Sequence, residues 1–531
     1  MTITGSWDTR ISRRTLLRTG GSAAAGIVLL GHTATAKAAP PFSGYPFTLG
    51  VASGDPTPNG IVLWTRLAPK PLEGGGLPQE VFGVRYEVAA DENFSRIVRR
   101  GAIDALPDEA HTVHAEIGGL QPETPYWYRF RFGPVESPVG RTRTAPPPDS
   151  TAAMRFAYAS CQNYTNGLYG AYWDMARQDL DLVVHLGDYI YEGAGLPGER
   201  AHAPAGVLMT LNDYRTRHAQ YKTDLDLQAA HAAFPWLMTW DDHEFANNYA
   251  DLDLDPNQPL ETVAERRAAA YLAYWEHAPL ARARKPVGKD MPLFRRLSWG
   301  ALATFHVLDT RQHRSDQIAQ CAPAQQQPSG YCPAALEPSR SILGETQRTW
   351  LFDGLRAQGG TGWNVLANQV AFAPFYRVEQ GARRFSVDAW DGYPLERQSV
   401  LDFLGENGLR NMVVITGDAH VSSVRNVPPS FEARDGIPVA TEFIGTSISS
   451  DGNPDPRRTR LRDDPLNPQF IWQNNERGYV RVDLEPGSWT TEFRRQLDVH
   501  QTGVAATPIA RFVVEHGNPG AIGPESVVSP V

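Results

Sequence analysis

Past residue 154 the chain repeats one pattern: a short apolar run that stops abruptly in polar residues. Phe156–Ala159 stops at Ser160-Cys161-Gln162, Leu182–Leu186 at Gly187-Asp188, Trp236–Trp240 at Asp241-Asp242-His243-Glu244, and Met412–Ile415 at Thr416-Gly417-Asp418-Ala419-His420. Two more, Leu302–Leu308 and Val365–Ala367, stop at Asp309-Thr310-Arg311 and Asn368-Gln369. Runs this short read as strands, and the stretches between them, such as Leu211–Phe234 and Glu265–His277, carry helical spacing. Strands alternating with helices make the fold class α/β. In such sheets ligands bind beyond the carboxyl ends of the strands, which is where the polar clusters fall. Tyr271, Tyr274 and Trp275 share one helical face and read as core packing.

The front of the chain follows a different rule. From Phe47 to Thr144 short alternating strands are separated by turns, among them Val51–Gly60, Ile61–Arg66 and Val84–Val88, which is a β-sandwich pattern. The segment from Leu120 to Phe130 resembles the tyrosine-corner strand of fibronectin type III domains, in which a Tyr hydroxyl ties the strand to the turn before it. The Pro-rich stretch Ala145 to Ser150 reads as a stiff linker. The tail from Arg495 to Val531 reads either as a cover over the mouth of a site or as a plain surface wrap.

Composition excludes other classes. With 41% hydrophobic and 21% charged residues over 531 positions, the chain is neither disordered in bulk nor fibrous. A net charge of -9 lacks the basic stripe that a phosphate backbone requires, so no nucleic-acid partner is expected. Basic residues concentrate in residues 1–38, where Arg10, Arg13, Arg14, Arg18 and Lys37 face a single acid, Asp8. Ser12-Arg13-Arg14-Thr15-Leu16-Leu17-Arg18, then the run Ala23 to Gly31, then Ala36-Lys37-Ala38, resembles a twin-arginine export signal cut after Ala38. That run falls well short of the roughly 20 apolar residues that span a bilayer, so no stable membrane anchor is expected. The expectation is a periplasmic or secreted protein whose partner is the twin-arginine export machinery. This route carries folded proteins, commonly ones that have already loaded a metal.

Cys321 and Cys332 flank a loop rich in Pro and Gln and read as a disulfide, which in an oxidising compartment contributes about 3 kcal/mol. Cys161 is then left over, as a buried structural residue, an intermolecular bridge or a ligand. It stands at the first strand end. At the later ones stand Asp188 with Tyr191 three residues on, Asp242 with His243, and Asp418 with His420. Hard cations take oxygen ligands, whereas thiolate, phenolate and imidazole suit a more polarising transition metal, so the mixed set points to two kinds of ion.

These motifs resemble, in order and over nearly the whole chain, the alkaline phosphatase D (PhoD) family of calcineurin-like metallophosphoesterases. The resemblance rests on Ala52-Ser-Gly-Asp-Pro56, Val62-Leu-Trp-Thr-Arg66, Ser160-Cys161-Gln162, Gly187-Asp-Tyr-Ile-Tyr-Glu192, Trp240 to Asn248, Ala389-Trp-Asp-Gly-Tyr393 and Thr416 to Ser422. Against the wider superfamily pattern Asp…Gly-Asp…Gly-Asn-His-Glu…Gly-His-x-His, Cys161 replaces the first Asp, Asp242 the Asn, and Asp418 the first His of the last pair.

The resemblance implies a signal peptide over 1–38, a fibronectin III-like β-sandwich over 44–146, a metallophosphoesterase-type βαβ sandwich over 154–500 as catalytic domain, and a tail over 501–531. It implies that Cys161, Tyr191, His420 and a bridging Asp188 hold Fe3+, and that Asp188, Asp242 and Asp418, with Asn248 beside them, hold Ca2+. The implied activity is hydrolysis of small-molecule phosphate esters by in-line attack of an activated water. His243 would donate to the phosphate or protonate the leaving alkoxide, and Arg311 would clamp phosphate or form a structural ion pair. Two alternatives stand beside this reading: a phospholipase D-type phosphodiesterase, and a non-catalytic exported binding protein.

Overall fold

The computed structural model describes residues 44–196, 198–254, 260–327, 329–432, 436–454 and 466–525. The leader read over 1–38 lies outside the described residues.

Two large sheets pack face to face. The first has ten strands, with the parallel trio Met154–Ala159, Leu182–Leu186 and Pro235–Thr239 near its centre. The second has seven, with Ala303–Val307, Trp363–Asn368, Met412–Thr416 and Ala440–Ile444 running parallel. Phe156, Val184 and Leu186 from the first sheet share one core with Phe305, Val365 and Ile415 from the second. The outer face of the first sheet packs through Ala157, Val183 and Trp236 against Tyr214, Tyr271 and Tyr274 of the helices Leu211–Lys222 and Leu260–His277. Every residue of the strands Leu182–Leu186, Pro235–Thr239 and Met412–Thr416 is buried, which is why their sequences run apolar without alternation. The architecture is the expected βαβ sandwich, and Tyr271, Tyr274 and Trp275 are core residues as expected.

The N-terminal region divides its strands between two sheets. Phe82–Ala89, Ile97–Ala105 and Pro125–Phe132 form a separate sheet, and the Gln121 backbone N–H donates to the Tyr126 hydroxyl at 2.9 Å, closing the expected tyrosine corner. Val51–Thr57, Gly60–Arg66 and Thr112–Gly118 instead extend the ten-stranded sheet, because Val51–Thr57 pairs in parallel with Pro235–Thr239. Gly54 permits this close approach: a Cβ there would lie 2.5 Å from the Pro279 carbonyl and 2.7 Å from the Trp236 carbonyl. The Pro-rich linker is pinned at both ends, by Ala145 N–H on the Thr57 carbonyl and by the Ser150 carbonyl on Ala301 N–H.

Most of the tail is sheet. Thr507–Glu515 and Asn518–Glu525 form a hairpin that adds two strands to the edge of the ten-stranded sheet, and residues 526–531 lie outside the described residues. Alternation in Thr507–Glu515 seats Ala510, Phe512 and Val514 in the core between the sheets, so the segment is held by burial rather than draped over the surface. Cys321 and Cys332 form a disulfide with Cα atoms 5.8 Å apart.

Candidate metal centre

The carboxyl ends of Met154–Ala159, Leu182–Leu186, Pro235–Thr239 and Met412–Thr416 deliver their loops to one place. In each loop the backbone makes at least one sharp turn. Cys161, Asp188, Asn248, Asp418 and His420 all have left-handed backbone, with φ of 59°, 56°, 56°, 60° and 53°. That conformation is uncommon for any residue but glycine and concentrates at functional sites. Two of the loops nearly touch: at Gly187, φ 107°, a Cβ would lie 2.4 Å from the backbone N of Asp241.

The donors fall into three adjoining groups. Cys161, Asp188 and His420 form the first, Asp188, Asp242 and His243 the second, and Asp241, Asp242 and Asp418 the third, with ligand atoms within 4.8 Å of one another in each. Asp188 belongs to two groups, and so does Asp242. Tyr191 joins the first, its hydroxyl donating to Asp188 Oδ2 at 2.9 Å and lying 3.2 Å from His420 Nε2. Ser450 Oγ lies 2.7 Å from both the Tyr191 hydroxyl and the Cys161 carbonyl.

This donor set fits cations. Asp188 Oδ1, Asp241 Oδ2 and Asp242 Oδ1 are buried and have no hydrogen-bond partner among the described residues, a costly state for carboxylate oxygens unless a positive charge faces them. Burial, with Asp242 and Asp241 adding to it, pushes Asp188 well above the usual carboxylate range against the pull of His243. Burial and Asp241 do the same to Asp418. Asp241 is pushed up to about 6 by burial, with Arg311 opposing. Burial works against ionised Asp242 as well, yet Arg311 and His243 hold it below its ordinary value. Burial and Asp188 together push the Cys161 thiol well up. A bound cation inverts this balance, since it stabilises carboxylate and thiolate alike.

Side chains from distant parts of the chain hold these donors in place. Glu244, buried one residue after His243, accepts three backbone N–H bonds, from Asp188 at 3.0 Å, Tyr189 at 2.7 Å and Asp241 at 2.9 Å. Glu192 accepts from His243 Nδ1 at 2.7 Å and from Asn247 N–H at 2.8 Å. Because a carboxylate only accepts, Nδ1 carries a proton and the Nε2 edge is left for chemistry. The His243 ring also packs on Tyr191 with centroids 4.1 Å apart. His420 Nδ1 faces Asp451 at 2.9 Å.

Of the two readings open for Arg311, the structure shows the ion pair. The side chain is fully buried, with Nε on Asp241 at 2.5 Å and both terminal nitrogens on Asp388 at 2.6 and 2.9 Å. It also lies 3.7 Å from Asp242. The guanidinium is thus the counter-ion inside the acid cluster. Asn248 is exposed and reaches the site through its backbone, whose N–H donates to Asp242 Oδ2 at 2.6 Å. Sequence reasoning missed Asp241, Glu192, Glu244 and Asp388. The first three sit inside quoted motifs, beside residues that drew attention first. Asp388 immediately precedes Ala389-Trp-Asp-Gly-Tyr393.

Comparison with known proteins gives consistent matches. The family model described as PhoD-like phosphatase matches residues 156–493, and the model of its N-terminal domain matches residues 33–146. Alkaline phosphatase D of Bacillus subtilis (strain 168) is 47% identical over 498 residues, which cover 91% of this chain and 83% of that protein. A solved structure of PhoD aligns with a TM-score of 0.85 at 46% identity, covering 92% of this chain and 94% of the other. A purple acid phosphatase from yellow lupin seeds, at 11% identity and a TM-score of 0.52 over 88% of this chain and 73% of its own, shares the fold.

Proposed function

The chain belongs to the PhoD-like phosphatase family and is a phosphoesterase hydrolase; on that footing we propose an exported enzyme that uses Fe3+ and Ca2+ to hydrolyse phosphate monoesters, with diester hydrolysis as the alternative. The observation that carries this reading is the run of three adjoining donor groups with buried carboxylate oxygens that lack a hydrogen-bond partner among the described residues. Thiol, phenol and imidazole gather at one end of the run, with Cys161, Tyr191 and His420 around Asp188, and would hold Fe3+. Oxygen donors gather at the other, with Asp242 and Asp418, and would hold Ca2+ together with Asp188. Asp241 joins that oxygen-rich end, and Asn248 supports it by fixing Asp242.

When bound, the two ions supply Lewis-acid polarisation of the phosphoryl oxygens and a nucleophile at neutral pH. The protein supplies orientation and proton handling. His243, anchored through Nδ1 by Glu192, presents its Nε2 edge to donate to a phosphoryl oxygen or to the departing alkoxide. Arg311 is a positioning residue that keeps Asp241 and Asp242 ionised and aimed.

Export by the twin-arginine route is supported by the leader sequence and by the disulfide, which suits an oxidising compartment. Among the described residues no helix is long and apolar enough to cross a membrane. Phosphodiester hydrolysis, including the phospholipase D-type alternative, is favoured by a cavity of about 650 Å3 that opens beside Asp418 and His420 and leaves room for a bulky ester arm.

The deciding experiment pairs p-nitrophenyl phosphate with bis-p-nitrophenyl phosphate, using holoenzyme exported in folded form, wild type and Cys161→Ala. Loss of iron and activity together in the variant supports the thiolate site, and the ratio of the two rates ranks monoester against diester. Inert substrates on metal-filled wild-type protein would leave the non-catalytic binding protein as the better account.

A further inference from the structure

The cavity beside Asp418 and His420 has a far wall unlike the metal centre. Phe375 and Phe470, both half-buried, stand with ring centroids 5.5 Å apart and planes tilted by 51°. The Arg425 guanidinium lies 4.2 Å from the Phe470 centroid and is held there by the Ala373 carbonyl at 2.6 Å and Ser423 Oγ at 3.2 Å. Arg377 lies 5.3 Å from the Phe375 centroid.

Each feature narrows the ligand. Two angled phenyl faces beside a polar centre leave apolar area exposed to water unless a flat group covers it. A simple polyol leaves the rings uncovered, whereas a flat ring covers them. Resting on the phosphoesterase reading above, we propose that this wall is a subsite for the leaving-group arm of the substrate and that it takes a planar aromatic ring, a nucleobase being the biological group of that shape. The base stacks on one of the two phenyl faces and meets the other at an angle, as the 51° between their planes dictates.

The test uses the metal-loaded enzyme with adenosine 5′-monophosphate and glycerol 3-phosphate, two monoesters that share the reacting group and differ in the arm. Wild type is expected to show at least about tenfold higher kcat/KM for the nucleotide, as befits one base stacked on an aromatic ring. Phe375→Leu keeps apolar volume but removes the flat face; it is expected to raise KM for the nucleotide about tenfold at unchanged kcat, leaving glycerol 3-phosphate unaffected. Phe470→Leu serves as the second variant if the first fails to fold. Calorimetric titration with adenosine reads the subsite without turnover and is expected to show binding that weakens in either variant. Equal kcat/KM for the two esters in wild type, equal effects of the variants on both, or no adenosine binding at millimolar concentration would overturn the subsite. If neither ester is hydrolysed the catalytic reading fails instead, and the titration alone decides the subsite.

Discussion

Glu244 is the residue on which the two central loops depend, and its replacement offers the sharpest test of how the site is built. Its Oε2 accepts from Asp188 N–H at 3.0 Å and from Asp241 N–H at 2.9 Å, so one oxygen sets the spacing of two loops that each carry ligands. Its Oε1 accepts from Tyr189 N–H at 2.7 Å. Glu244→Gln keeps the first oxygen but turns an NH2 toward the Tyr189 N–H, leaving one buried donor without a partner at a cost of about 1–3 kcal/mol. Part of that is offset, because burial pushes the carboxyl up to about 8 against the pull of the N–H groups, and the neutral amide escapes that penalty. The net loss expected for Gln is about 1–2 kcal/mol. Glu244→Ala strands all three donors and opens a cavity, for an expected loss of about 3–5 kcal/mol. Urea unfolding midpoints together with iron and calcium content of the exported proteins measure both effects. The order expected is wild type, then Gln, then Ala, with metal content falling in the same order. An alanine variant within about 1 kcal/mol of wild type and fully metallated would refute the idea that this carboxylate holds the loops in register.

Three further expectations follow from other features. Tyr191→Phe keeps the ring that packs on His243 at 4.1 Å but removes the phenol oxygen, so the visible charge-transfer band expected of iron-bound tyrosinate should vanish while the protein stays folded; an unchanged absorption spectrum would remove Tyr191 from the ligand set. Gly54→Ala drives a Cβ to 2.5 Å from the Pro279 carbonyl, and the parallel pairing of Val51–Thr57 with Pro235–Thr239 should weaken by about 1–3 kcal/mol, read as a lower melting temperature and faster proteolysis between the N-terminal strands and residue 154. Lys222 has its ammonium 4.4 Å from the Trp64 ring, and burial pulls its pKa from 10.5 down to about 7. The unfolded chain holds that proton up to the higher value, so this group's contribution to stability is full above 10.5 and is lost as pH falls toward 7; denaturation across that window should show a slope that Lys222→Met abolishes.

Much of the site was legible because its donors stand at strand ends, and a strand end is a local event in sequence. An apolar run that breaks into Gly-Asp or Asp-Asp-His-Glu announces both the buried strand and the loop that must leave it. Cys161 was legible by a different route, as the cysteine left over once Cys321 and Cys332 are paired. The hairpin Thr507–Glu515 with Asn518–Glu525 was obscured by its Pro and Gly residues, which a strand tolerates at a sheet edge. The membership of Val51–Thr57 in the catalytic sheet was obscured because its partner strand lies far along the chain, and an alternating pattern does not say which edge a strand will meet.

By itself the sequence determined the α/β class, the order of buried strands and the chemistry available at their ends, because hydrophobic periodicity and residue type act within a few neighbours of each position. Tertiary structure alone decided which of those groups face one another. Arg311 meets Asp241 across 70 residues and Asp388 across 77, turning a candidate phosphate clamp into a counter-ion. Glu244 acts on backbone N–H groups, which every residue but proline has and which leave no mark in sequence. Phe375 and Phe470 become a pair only where a loop and an edge strand converge beside Asp418. Each of these contacts depends on the path of the chain between its partners, and that path is set by how the two sheets bury their shared core.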